Sequence, residues 1–293
     1  RHRPGACPIA DKERWQHDNI RDPHHHHPQK GDLSVMYATN HFEEIMLNLA
    51  RGISASAPET MYLALYLNDP GDDGAGTEVS YSGYARQPIT FSAPAASGNG
   101  YAMQNTAALT FAESSVSVGN VTYVAIMDSL TGGNMYLYGR LEEVLNISAG
   151  IAPVVRAGAV KWIWSGKMAN AYKIKCMNIC RGVSCSGFSP YLALCNGSPE
   201  SGGSEFSGNS YARTAFVFSA PAQQSGGACL ITNSARIETP VASGPWGELT
   251  HIAVYDAESN GEPYIIDAAS KQVTMSAGRQ VIYVPSTLNF TIN

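Results

Sequence analysis

Twenty residues of this chain are written twice. Gly76-Thr77-Glu78-Val79-Ser80, then Tyr84-Ala85-Arg86, then Phe91-Ser92-Ala93-Pro94-Ala95 returns as Gly203-Ser204-Glu205-Phe206-Ser207, Tyr211-Ala212-Arg213 and Phe218-Ser219-Ala220-Pro221-Ala222. The offset is a constant 127, with eleven identities. Self-similarity at a long fixed period means that one folded unit has been duplicated. The repeat extends both ways. Tyr62-Leu63-Ala64-Leu65 answers to Tyr191-Leu192-Ala193-Leu194, Arg51-Gly52 to Arg181-Gly182, and Val121 to Asp128 answers to Leu249 to Asp256. The register drifts by a residue or two, as surface loops absorb insertions. Each unit then has the length of an ordinary domain with its own core.

Three segments follow: an N-terminal extension over residues 1–35, expected to be disordered or non-native, a first helix-plus-sandwich repeat over 36–166 and a second over 167–293. The first is polar and Pro-containing, with a tag-like tract at His24 to His27. As an alternative, Lys30-Gly31-Asp32 is compatible with a ribosome-binding sequence ahead of Met36, which would make Met36 the start and the residues before it an upstream read-through. In each repeat a short apolar stripe at helical spacing comes first, with Phe42, Ile45, Met46 and Leu49 in one copy and Ile174, Met177 and Ile179 in the other. Asn40 with Glu43 reads as a capping box, and Gly52 and Gly182 as stops. Strands are expected at Met61 to Tyr66, Ala85 to Phe91, Ala107 to Phe111, Val121 to Met127, Met135 to Tyr138, Glu143 to Ile147 and Ala157 to Trp164. Thr131-Gly132-Gly133-Asn134 is expected to turn a hairpin, and Pro88 marks an edge strand. The fold class is therefore mainly β: two tandem antiparallel β-sandwich domains, each preceded by a short α-helix.

Charge and composition exclude several roles. A net charge of −5 with no basic stripe leaves no footprint for nucleic acid. No apolar run approaches the length of a membrane span. Five of the six cysteines fall in the second copy, which argues against a disulfide framework shared by both. Cys195, standing where the first copy has Tyr66, reads as a small buried hydrophobe.

Chemistry-bearing constellations are sparse. No nucleophile with its base, paired carboxylates or phosphate loop stands out, so no catalytic, cofactor or metal residue is assigned. Asp69, Asp72 and Asp73 share a loop with oxygen ligands suited to calcium, but the plainer reading is a solvated acidic turn. His251 aligns with Tyr123 as a tolerated strand position. Tyr62, Tyr66, Tyr81, Tyr84, Tyr101, Trp162 and Trp164 suit sugar stacking, yet their strand positions place most of them in a core or interface. The residues singled out are Glu78, Tyr84 and Arg86 with Glu205, Tyr211 and Arg213. Their identical spacing predicts a clip that pins a loop to the strand after it.

The order of these motifs carries a resemblance. A helix at His41 to Gly52, Met61-Tyr62-Leu63-Ala64-Leu65-Tyr66, Gly76-Thr77-Glu78-Val79, Gly83-Tyr84-Ala85-Arg86, Val121 to Asp128, Gly132-Gly133-Asn134 and Ser148-Ala149-Gly150 succeed one another. The series resembles a family of small tailed-bacteriophage virion proteins described as tail fibre or minor tail proteins. It covers residues 40–164 closely and 169–293 more loosely, where Pro199-Glu200-Ser201-Gly202 shortens a loop and Ser210 replaces a glycine. The resemblance implies a non-enzymatic structural or adhesive role in a virion assembled in the bacterial host cytoplasm. It implies other phage tail proteins as partners, a homo-oligomer and no cofactor. The alternatives are a carbohydrate-binding module for host-surface glycan and, last, a glycan depolymerase, which lacks an acidic pair.

Overall fold

The computed structural model describes residues 36–166, 168–225 and 227–292. The expectations for residues 1–35 lie outside these. In the first copy the elements are β1 (Met36–Ala38), α1 (Asn40–Ala50), β2 (Met61–Tyr66), β3 (Gln87–Ile89), β4 (Ala95–Ser97), β5 (Gly100–Gln104), β6 (Leu109–Thr110), β7 (Gly119–Met127), β8 (Met135–Ile147), β9 (Val154–Val155) and β10 (Lys161–Trp164). The second copy follows with α2 (Asn170–Ile179), β11 (Tyr191–Asn196), β12 (Ser204–Glu205), β13 (Thr214–Ala215), β14 (Ala222–Gln223), β15 (Cys229–Thr232), β16 (Ile237–Glu238), β17 (Gly247–Tyr255), β18 (Pro263–Met275), β19 (Ile282–Tyr283) and β20 (Asn289–Ile292).

The two copies share one topology. In the first, a five-stranded sheet runs β1-β8-β7-β2-β3, a three-stranded sheet β10-β5-β4, and β6 pairs with β9. The second has β17 between β11 and β18, a three-stranded β14-β15-β20 and a β16–β19 pair. Every named pairing is antiparallel. The chain is thus mainly β, with two tandem antiparallel sandwiches each led by a helix. Even the irregularities are copied, since β7–β8 and β17–β18 break register at corresponding points.

Several boundaries differ from the sequence reading, for physical reasons. The cap of α1 is Thr39, in extended conformation, whose hydroxyl oxygen accepts from the Phe42 N–H at 3.4 Å. Asn40 is instead the first helical residue, and Glu43 is buried rather than reaching back to a cap. Ala85 to Phe91 contracts to three strand residues, because Arg86 is drawn into a side-chain cluster and Pro88 brings no N–H to a ladder. Pro88 does sit on the edge strand of its sheet. The two short strands expected between Met135 and Ile147 are one continuous strand.

Each helix serves both copies. α1 packs on β8 of its own copy and on β15 of the other, while α2 packs on β18 of its own and on β5 of the other. Phe42, Met46, Leu47 and Leu49 of α1 are fully buried, worth about 1.5–3 kcal/mol each. Tyr172, Cys176, Met177 and Ile179 do the same from α2. One hydrophobic cluster consequently runs from Met36 to Ile292 through both copies.

The seam between the copies has approximate two-fold symmetry. Ala55 and Cys185 are equivalent residues at offset 130. They pair with each other, Ala55 N–H donating to Cys185 C=O at 2.8 Å and Cys185 N–H to Ala55 C=O at 2.9 Å. Ser184 Oγ accepts from Ala57 N–H at 3.0 Å, and the equivalent Ser54 Oγ accepts from Gly187 N–H at 3.1 Å. Such self-complementary contact is the signature of an isologous interface. Across it, the Tyr264 hydroxyl donates to the Ala50 carbonyl at 3.1 Å and the Tyr172 hydroxyl to Met46. Ala50 is the last residue of α1, so its carbonyl has no partner within the helix and the Tyr264 hydroxyl supplies one.

Candidate functional site

The doubled Glu-Tyr-Arg arrangement is built the same way twice. The Arg86 guanidinium donates Nε–H to Glu78 Oε1 and Nη2–H to Glu78 Oε2, both at 2.9 Å. The Tyr84 hydroxyl donates to Glu78 Oε1 at 3.1 Å while accepting from the Leu65 N–H at 3.0 Å. In the second copy, Arg213 grips Glu205 at 2.9 and 2.7 Å, and Tyr211 donates to Glu205 at 2.9 Å while accepting from Leu194 at 3.0 Å. A planar guanidinium on a carboxylate in this two-pronged fashion is among the strongest side-chain pairings.

The third nitrogen of each arginine reaches farther. Arg86 Nη1 donates to the Ser129 and Gly132 carbonyls at 2.8 and 2.6 Å. Arg213 Nη1 donates to Ala257 and Asn260 at 2.8 and 2.6 Å. One buried cation therefore ties the loop after the first long strand to the hairpin between the next two. Burial pushes the Tyr84 and Tyr211 phenols well above their ordinary range, so both keep their protons and act as donors. In the second copy Arg213 also lies over the Tyr255 ring, 3.5 Å from its centroid, where the first copy has Met127.

The cluster thus has the geometry of a brace, with carboxylate, phenol and guanidinium engaged with one another and with the backbone. Arg86→Ala is expected to lower stability by about 2 kcal/mol, since it leaves a partly buried carboxylate without its cation. At about 2–4 °C per kcal/mol for a protein of this size, thermal melting should show a clear drop. An unchanged melting temperature would refute the brace.

Other candidate residues fall in different places. Trp162 is buried, and Trp164 is packed against the core. With Tyr136, Phe42, Tyr172 and Phe188 they form a chain of rings, centroids 5.0–6.1 Å apart, that crosses the seam. Trp162 lies in the interior and Trp164 is half-buried against it. Tyr81 donates to the Ala112 carbonyl at 2.7 Å, and Tyr101 packs against the core. Asp69 and Asp73 cap their own loop, accepting from the Gly71 and Ala75 N–H groups at 2.9 and 3.1 Å. Among the described residues, no three His, Cys, Asp or Glu side chains converge in a metal-holding group. Cys176, Cys180, Cys195 and Cys229 are buried free thiols, and Cys185 is a half-buried one. His251 shares a hydrogen bond of 3.0 Å with the Thr250 hydroxyl.

Two buried features went unread in the sequence. Asn105 and its equivalent Asn233 are buried amides. Asn105 donates to the Ala107 and Arg156 carbonyls and accepts from Val160 N–H, while Asn233 donates to Ala235 and Val284 and accepts from Thr287 and Leu288. The recurrence of Asn-Thr/Ser-Ala at offset 128 was the available signal. Glu43, 2% exposed, leaves one carboxyl oxygen without a partner. Burial foremost, then the nearby Asp72 charge, push its carboxyl up to about 8 against the pull of hydrogen bonds from Cys229.

A helix-led sandwich present twice, joined through a symmetric seam and braced by matched ion pairs, defines a duplicated architectural module. The chain belongs to the family described as Podophage GP4 fiber I protein gp80, whose sequence model matches residues 37–163 and again residues 167–291. No curated protein matches the chain.

Proposed function

We propose that the chain is a structural protein of a bacteriophage tail fibre, with no catalytic role, placed in the virion after assembly in the host cytoplasm. Its two copies, taken as residues 36–166 and 167–293, contact other tail proteins and further copies of the chain. The observation that carries this reading is the family match on both copies, which covers nearly all of the described chain. The brace agrees with it, because Glu78, Tyr84 and Arg86, like Glu205, Tyr211 and Arg213, spend their hydrogen-bonding capacity on the fold. Immunogold electron microscopy of purified particles tests it. Label on the tail is expected, and its absence from particles would overturn the reading.

A second reading, recognition of host-surface glycan, has one observation in its favour. Tyr37 is 49% exposed and its ring lies 5.9 Å from that of Tyr138, which shares the outer face of the first five-stranded sheet with Tyr62 and Tyr123. Rings presented in this way suit sugar stacking. The second copy has Ile266 and His251 where the first has Tyr138 and Tyr123. Glycan-array binding lost on Tyr37→Ala is the expected result of this reading, and no binding by the native chain would discard it.

A further inference from the structure

β1 covers only part of one edge of β8. Its ladder spans Leu137 to Gly139, and from Arg140 to Ile147 that edge has no strand partner among the described residues. The second copy repeats the arrangement: Met168 bridges Ile265 on the corresponding edge of β18, Ala169 N–H donates to Tyr264 C=O beside it, and from Ala268 to Met275 that edge has no strand partner among the described residues. Beside each free edge lies an open groove, about 330 Å³ in the first copy and about 370 Å³ in the second, bounded on its far side by the segment carrying β9 or β19. Apolar side chains stand exposed around both, Val144 at 50% and Ile282 at 43%. An unpaired edge with apolar neighbours is a template for another strand.

We propose that the free half of β8 in one molecule pairs antiparallel with the free half of β18 in a second copy, so that the chain associates head to tail. Charge favours this pairing over like-with-like pairing centred on the same positions. Glu143 and Lys271 occupy equivalent positions at offset 128, both exposed and both at the middle of a free edge. Antiparallel pairing centred on them sets Glu143 opposite Lys271, at the points where each strand bulges out of register with its inner neighbour. At that centre, pairing β8 with β8 would set Glu143 against Glu143, and β18 with β18 Lys271 against Lys271. Both like-charge pairings are disfavoured. Glu143 has an intramolecular contact to Arg156, but at 3.8 Å with both side chains more than 80% exposed it competes weakly. Arg279 on the wall of the second groove adds to its positive character. Contact between two different surfaces of one chain is heterologous, and it builds rings or open filaments rather than closed pairs.

This supplies a surface for the homo-oligomer proposed above, and its failure would leave the placement in the virion standing. Sedimentation velocity of the full chain tests it. Association that grows with concentration at low salt and recedes at high salt is expected. Glu143→Lys and Lys271→Glu should each weaken association about tenfold, and an equimolar mixture of the two variants should recover it. The double charge swap should recover it also. A native chain that stays monomeric at every concentration, single variants that associate like the native chain, or a mixture that fails to recover would each overturn the proposal. Circular dichroism of both single variants confirms that they are folded, and the mixing arm does not require the double variant to fold.

Discussion

Gly187→Ala should melt far below the native protein, while Ala57→Gly at the equivalent position should hardly move. A Cβ on Gly187 would sit 2.1 Å from the Gly52 carbonyl carbon and 2.3 Å from its oxygen. Those atoms are backbone of the other copy, so no side chain can swing away. The seam itself would have to part, disturbing the Gly187 to Ser54 bond and the neighbouring Ala55–Cys185 pair. Overpacking of this kind costs about 3 kcal/mol, or roughly 6–12 °C in melting temperature at this chain length. Because one core runs through both copies, unfolding should remain a single transition. Two separated transitions in calorimetry, or a shift within a degree of native, would contradict the shared core.

Glu43→Gln should stabilise the protein above neutral pH and flatten its pH dependence. Glu43 is held at about 8 against an ordinary 4.5, first by burial and then by the Asp72 charge. A carboxyl raised in the folded state contributes stability that is complete below pH 4.5 and lost as pH rises through about 8. Native stability should therefore fall across that window, by an amount on the order of 3–5 kcal/mol from this group. Asp72, whose carboxyl burial also raises, acts in the same direction. Glutamine keeps an acceptor for the Cys229 hydrogen bonds and never ionises. Denaturant melts of both proteins at pH 5 and pH 8.5 should therefore diverge at the higher value. Parallel curves would mean that Glu43 is not the titrating group.

How far the sequence led is clearest at particular residues. The brace was visible because both of its ends recur at the same eight-residue spacing, and side chains eight residues apart across one loop can meet. Its third point of attachment, at the Ser129 and Gly132 carbonyls, was invisible because a backbone acceptor leaves no mark on residue identity. The apolar stripe of α1 announced a helix that needed cover. A stripe does not say whose sheet supplies that cover, so the packing of each helix on the other copy could not be read. Thr39 and Asn40 are both competent caps, and the choice falls to Thr39 because its hydroxyl also donates to the Met135 and Tyr136 carbonyls of β8. The free edges were hidden because Met135 to Ile147 read as two strands with a gap, and an edge appears only once the strand is continuous.

The meeting of Ala55 with Cys185 has a wider meaning. A single-copy protein making this contact would form a pair with two indistinguishable ends, in which every substitution appears on both sides. Once the halves are joined in one polypeptide, each is free to drift alone, as Glu43 and Lys173 on the two helices illustrate. Joining the copies in one polypeptide thus makes a block whose two ends can differ.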